Sequence, residues 1–151
     1  MLRISKIVDY GTLVLTHMAQ FPGRLFSAAD LAAALDLGQP TVSKVLKALL
    51  RHGLVRSSRG AQGGYALNRS ADQISVAQII DALEEQPFGL TECTSTPGVC
   101  VYEAGCQIRM NWQRINAIVR RTLEDVSVAD MVRPVPIEYG VIVNEHSHRK
   151  N

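Results

Sequence analysis

The stretch "PTVSKVLKALLRHG", residues 40–53, limits what this chain can fold into more than any other segment. Its apolar residues Val42, Val45, Leu46, Leu49 and Leu50 recur at i, i+3, i+4, i+7 and i+8, the spacing that gathers side chains onto one stripe of an α-helix. Pro40 suits a first helical turn, where no N–H is required, and Gly53 suits the position just past a helix end. Before this helix, "DLGQP" leaves room only for a tight turn after a short Ala-rich segment that runs through Ala34 or Leu35. After it, "LVRSSRGAQGGYALN" forms two short alternating runs around Gly60, Gly63 and Gly64, which reads as a hairpin. Helix, turn, helix and hairpin is the order of a winged helix-turn-helix. The expected fold is mainly α with a small β-hairpin wing.

The remaining segments fit around that unit. Residues 3–20 place Ile4, Val8, Gly11, Leu15 and Met18 on one helical stripe that ends at Phe21, Pro22 and Gly23. Ser27 is placed to cap the next helix, with Phe26 and Leu31 as an apolar staple around the cap. Ser75 and Gln78 form a capping-box pattern ahead of Val76, Ile79, Ile80 and Leu83. Ile108, Trp112, Ile115, Val119 and Leu123 then make a stripe that Ile118 and Val126 widen beyond what one neighbour needs. A stripe that broad on a late helix predicts a homodimer. Residues 1–85 are thus expected to form the winged helix-turn-helix domain, 86–107 a loop, 108–132 a dimerisation helix with a short helix after it, and 133–151 a disordered tail.

Composition closes several classes. A chain of 151 residues with 46% hydrophobic and 20% charged side chains supports one core and lacks the signature of disorder. No apolar run approaches the ~18 residues a bilayer crossing needs, and "MLRISKIVDYG" does not follow a secretory pattern, so the expected setting is cytoplasmic with no membrane partner. A net charge of +2 says little about nucleic acid, so that argument rests on where the cations lie. Opposite the stripe of residues 42–50, the helix carries Thr41, Ser43, Lys44, Lys47 and Arg51, with Gln39 near its start. Such side chains read base edges and hold phosphates when a recognition helix enters the major groove. A single basic helix face is more often just solvated surface. Here Arg56 and Arg59, with Gly60 at the tip, put a second basic element on the wing, and cations on a slender turn suit a minor groove or a phosphate. The pair predicts a double-stranded DNA operator as partner.

All three cysteines fall in "TECTSTPGVCVYEAGCQIRMNW", residues 91–112, as Cys93, Cys100 and Cys106. An odd number of thiols in a reducing compartment argues against structural disulfides. The x6 and x5 spacings are not those of zinc sites, whereas three soft thiolates spread along one loop suit an iron-sulfur cluster, of 2Fe-2S or 4Fe-4S type. Incidental buried or redox-active thiols are the plainer alternative, but a loop with Thr94, Ser95, Thr96, Pro97, Gly98 and Gly105 offers little core to bury them in. No general base accompanies the cysteines and no nucleotide-binding glycine loop opens a helix, so neither an enzyme nor a small-molecule substrate is expected.

These segments together resemble the Rrf2 family of winged-helix transcription regulators, which sense iron-sulfur clusters. The resemblance spans about residues 1–132 and is carried by "MLRISKIVDYG", "TVSKVLKALLRHGLV", "RGAQGGYAL" and the three-cysteine loop before a long helix. Within the family the pattern is most similar to the branch that regulates the SUF iron-sulfur assembly operon. The resemblance implies a homodimer crossed through the long helix, repression of cluster-assembly genes, and a cluster held by three loop cysteines and a fourth ligand. One branch of the family has a histidine three residues after the third cysteine; here that residue is Arg109, which keeps its proton and cannot ligate. The nitric oxide-sensing branch resembles this chain in an early helix-one aspartate that reaches the partner's cluster, which makes Asp9 the expected fourth ligand. The plainer alternative for Asp9 is an exposed carboxylate paired with Lys6 or Arg3, and Glu92, Glu103 and His17 are weaker candidates for the ligand; His146 and His148, spaced H-x-H, have metal-binding chemistry but read better as part of a disordered tail. A nitric oxide- or redox-responsive regulator and a cluster-free thiol sensor remain as alternatives.

Overall fold

The computed structural model describes residues 3–133, so the tail reading beyond Arg133, with His146 and His148, lies outside the described residues. Helix α1, Lys6–Ala19, is started by Ser5, whose hydroxyl accepts the Val8 N–H at 3.4 Å. It begins later than the stripe suggests, and Ile4, ahead of the cap, is exposed. Helix α2, Ala28–Leu35, has Ser27 as its cap, with a reciprocal bond from Ser27 N–H to the Asp30 carboxylate at 3.0 Å. Asp36 turns the chain in the left-handed region, φ 53°, and α3, Gln39–Arg51, follows after Gly38. Val42, Val45, Leu46 and Leu49 are fully buried while Leu50 lies at the exposed edge of the stripe.

The wing is an antiparallel pair, β1 Val55–Ser58 and β2 Gly64–Leu67, in register from Val55 opposite Leu67 to Ser58 opposite Gly64. Phe26 adds a bridge to β2 through two bonds with Tyr65 of 2.9 and 2.8 Å. Helix α4, Val76–Leu83, carries the expected Ser75–Gln78 capping box. Gly11 lies where α1 meets α4, and a Cβ there would run into Leu83. Short α5, Glu92–Ser95, precedes long α6, Arg109–Asp125, and α7, Val128–Val132.

The core joins α1, α2, α3, α4 and the root of the wing through Val8, Leu15, Leu31, Leu46, Leu49 and Ile79. The chain closes on it from an unexpected direction. After α6 it crosses residues 74–76 as a short strand-like seam: Val76 N–H donates to Val126 O at 2.9 Å and Val128 N–H to Ile74 O at 2.8 Å. Val128 is thereby fully buried, and Val126, expected on the α6 stripe, is half-buried in this seam instead. Helix α6 itself leans on α4 through Leu123 and an Arg120–Asp81 fork with both bonds at 2.6 Å, and has no buried residue. Met110, Trp112, Ile115 and Ile118 are exposed along it, as is Ile108 just before its start. Among the described residues no helix is long and apolar enough to cross a membrane.

Candidate DNA interface and cysteine site

Burial of one stripe of α3 leaves the expected polar face outward. Gln39, Lys44, Lys47 and Arg51 are exposed and Thr41 and Ser43 half-buried. Ser43, Lys44, Lys47 and Arg51 border a single open groove together with Pro40 and Leu50. No side chain caps the start of α3, so its first-turn N–H groups are left for an outside acceptor, a situation that favours anions such as phosphate. The base of the wing is fastened to the other end of the helix: Leu54 N–H donates to Leu49 O, Asn68 N–H to Leu54 O at 3.1 Å and the Asn68 amide to Gly53 O at 3.0 Å. Arg56 is exposed on β1, and Arg59 and Gly60 are exposed at the tip. The tip demands glycine, since Gly60 has φ 110° and a Cβ on Gly63 would overlap the Ser58 carbonyl. Hence α3 and the wing form one hydrogen-bonded unit that carries two sets of cations.

The cysteine segment is pinned at both ends. At its start, Leu90 N–H donates to the Asn116 side chain of α6 at 3.0 Å, and Gly89 approaches Ser95 too closely for any Cβ. Thr91 begins α5 with its N–H bonded to Thr94 Oγ1 at 3.0 Å, and its own hydroxyl lies 3.2 Å from Cys93 Sγ. Cys93 is buried, Cys100 and Cys106 half-buried, and all three are free thiols. At the far end, Glu103 ties the segment: one carboxylate oxygen accepts Gly98 N–H at 2.6 Å and the other pairs with Arg109 Nη2 at 2.7 Å. The Glu103 side chain is 10% exposed and that of Arg109 38%, with the Arg109 Nε atom covered and without a hydrogen-bond partner among the described residues.

Soft, uncrosslinked thiols on one segment have the donor chemistry an iron-sulfur cluster requires. Among the described residues, however, no three His, Cys, Asp or Glu side chains gather closely enough to hold a metal ion. Asp9 is exposed on the first turn of α1 and takes part in none of the ion pairs among the described residues. Glu92 is exposed; both Glu103 oxygens are engaged; and His17 is packed with Phe21 and Phe26, ring centroids 5.4 Å from each. Sequence reasoning treats Arg109 only as a residue unable to ligate and does not single out Asn116. The one signal available for Arg109 is its position: a cation at a helix start opposes the helix dipole by about 0.3–1 kcal/mol and calls for a nearby carboxylate.

The Rrf2 family, described as an iron-dependent transcriptional regulator, matches residues 4–134. The chain belongs to the Rrf2 family. Rrf2 proteins are DNA-binding transcription regulators, not enzymes. The helical body and two-stranded wing are the winged-helix fold seen in solved Rrf2 relatives. B. subtilis CymR, described as the global cysteine regulator, is 27% identical over 87% of this chain and 97% of that one, with a TM-score of 0.67. An oxidized form of Staphylococcus aureus CymR is 26% identical over 89% and 99%, with a TM-score of 0.66. T. potens IscR is 25% identical over 99% and 93%, with a TM-score of 0.64.

Proposed function

We propose that this Rrf2 protein is a cytoplasmic, homodimeric repressor of iron-sulfur cluster assembly genes that reports cluster status to an operator. The observation that carries the reading is the placement of three free thiols on the segment that links the winged helix to α6. Cys93, Cys100 and Cys106 would hold the cluster, with Asp9 of the partner subunit as the fourth ligand. A bound cluster supplies a centre that iron supply, oxygen or nitric oxide can alter. The residues do the rest. Asn116 and Glu103 hold the two ends of the segment, and α6 joins it to the second subunit. Two-fold symmetry sets the recognition helices roughly 34 Å apart on successive turns of DNA, so a small change in dimer angle alters operator affinity. Gln39, Thr41 and Ser43 face base edges, while Lys44, Lys47, Arg51, Arg56, Arg59 and the Gly60 tip take phosphates or the minor groove.

The test is selection of bound genomic fragments by the anaerobically reconstituted protein and by the cluster-free protein. The expected result is enrichment of regions upstream of cluster-assembly genes that changes with cluster state; equal enrichment by both forms contradicts sensing. Likeness to CymR supports a second reading, a cluster-free regulator that responds through thiol oxidation. Visible absorption after anaerobic reconstitution separates the two, because only the first reading gives a coloured protein.

A further inference from the structure

Helix α6 is held to the winged-helix head by a polar grip more than by packing. Arg120 donates from Nη1 and Nη2 to the two carboxylate oxygens of Asp81 on α4, both at 2.6 Å. Its Nε–H donates to Glu124 one turn on at 2.8 Å, and the guanidinium lies 5.9 Å from the Phe88 ring centroid. Three neighbours thus fix one planar group. Among the described residues, the fork supplies the only side-chain hydrogen bonds from α6 to helices α1, α2, α3 and α4. Asn116, one turn earlier, ties α6 to Leu90 of the connecting segment and not to the head. Beside the fork, Ile80 of α4, Val119 and Leu123 of α6, and Phe88 border a cleft of about 310 Å³. Apolar side chains that leave such a gap do not impose one angle as a close-packed core does.

The other attachment lies at the end of α6, where the backbone seam joins Val126 and Val128 to Val76 and Ile74. With that seam as pivot, the fork sits roughly 9 Å back along the helix axis and decides how the remainder of α6 is aimed. An exposed ion pair contributes little to stability, but two parallel bonds from one guanidinium to one carboxylate fix direction as well as distance. We propose that Arg120 is a positioning residue for operator binding: its fork to Asp81 sets the angle between α6 and the winged helix, and through the dimer the separation of the two recognition helices. This rests on the homodimer of the reading above and not on the cluster. Two-fold symmetry applies any tilt of α6 to both heads at once. Neither Arg120 nor Asp81 bonds to a DNA-facing side chain among the described residues. The pair therefore governs how two half-sites are engaged together, not how one half-site is read.

The experiment compares wild-type protein with Arg120→Lys, Arg120→Gln and Asp81→Asn, all as the full chain and in the same cluster state, on an operator isolated by the genomic selection above. Duplexes carry one half-site, two at the natural spacing, or two with a base pair inserted or removed between them. All four proteins should bind a single half-site alike. Wild type should favour the natural spacing, whereas each variant should bind that duplex several-fold more weakly and discriminate less among spacings. Arg120→Lys is the decisive variant, since it keeps the charge but has no planar fork. The Arg120→Gln, Asp81→Asn double variant should be no weaker than either single one, because all three lack the same interaction. Sedimentation of each protein reads the dimer. A dimeric wild type whose spacing profile is shared by Arg120→Lys overturns the role of the fork while leaving the homodimer reading intact. Variants that fall to monomers also overturn it, since the pair then serves assembly. A monomeric wild type overturns both.

Discussion

Between Ser5 and Leu83 the helices α1, α2, α3 and α4 bury their apolar stripes against one another, with Val14, Leu15, Leu31, Leu46 and Leu49 fully covered. After Leu83 the pattern inverts: α6 runs for 17 residues without one buried side chain and exposes Ile115 at 42% and Ile118 at 56%. The first region satisfies its own hydrophobic pattern within a single chain. The second has equally regular periodicity and leaves it largely open, meeting the body through Phe88, Leu123, the Arg120–Asp81 fork and the seam at Val126 and Val128. An apolar face of that kind marks a surface meant for another molecule, and a second copy of the same helix is the partner we propose. A regulator needs this division: a rigid reading head, and a segment whose arrangement depends on what it binds.

Mutations should fall unequally on the two regions. Leu46→Ala, in the closed region, is expected to cost about 2–5 kcal/mol in chemical denaturation, the range for emptying a well-packed core site. Ile118→Ala, in the open region, should leave stability within about 0.5 kcal/mol, as for other surface changes, while weakening self-association in sedimentation. Equal destabilisation by both would erase the contrast. Arg59→Ala should lower operator affinity by about 1–3 kcal/mol with cluster content unchanged, measured by fluorescence anisotropy and iron analysis. Loss of the cluster in that variant would show that the two functions are not separable.

At the boundary between the regions, Arg120→Gln removes the fork to Asp81 and the bond to Glu124. The pair is partly exposed, so the cost should stay below about 1 kcal/mol and shrink further in high salt. The smallest effect concerns pH. Hydrogen bonds from the Ser27 and Ser127 side chains and backbones hold Asp30 and Asp130 below the ordinary carboxylate range. A lowered carboxylate stabilises the fold fully above its ordinary value, about 3.9, and that contribution is lost as pH falls through the lower folded-state value. Both caps should thus be indifferent to pH from 8 to 5, and helicity followed by circular dichroism should fall only below about pH 4.

The contrast also explains what the sequence discloses. Elements set by neighbours in the chain were legible: the Ser27 and Ser75 caps, the stripe of α3, and the glycine-demanding wing. Misreadings arose where distant segments decide. Ile4 shares the α1 periodicity but precedes the cap at Ser5, and Val126 shares that of α6 but is claimed by the seam with Ile74 and Val76. Short α5 has too few residues for a periodic signal. At the candidate site the thiols were visible as residue types, whereas the bonds from Glu103 to Gly98 and Arg109 and the Asn116 anchor depend on contacts that no local pattern announces.

The central claim is that the three thiols hold an iron-sulfur cluster within a dimer. Native mass spectrometry of the full chain, purified and reconstituted without oxygen, tests it in one spectrum. The account predicts a dimer that carries iron and inorganic sulfide in each subunit, and a Cys100→Ala protein that remains a dimer but carries neither. A wild-type protein whose mass is that of the bare chain under the same conditions would contradict it.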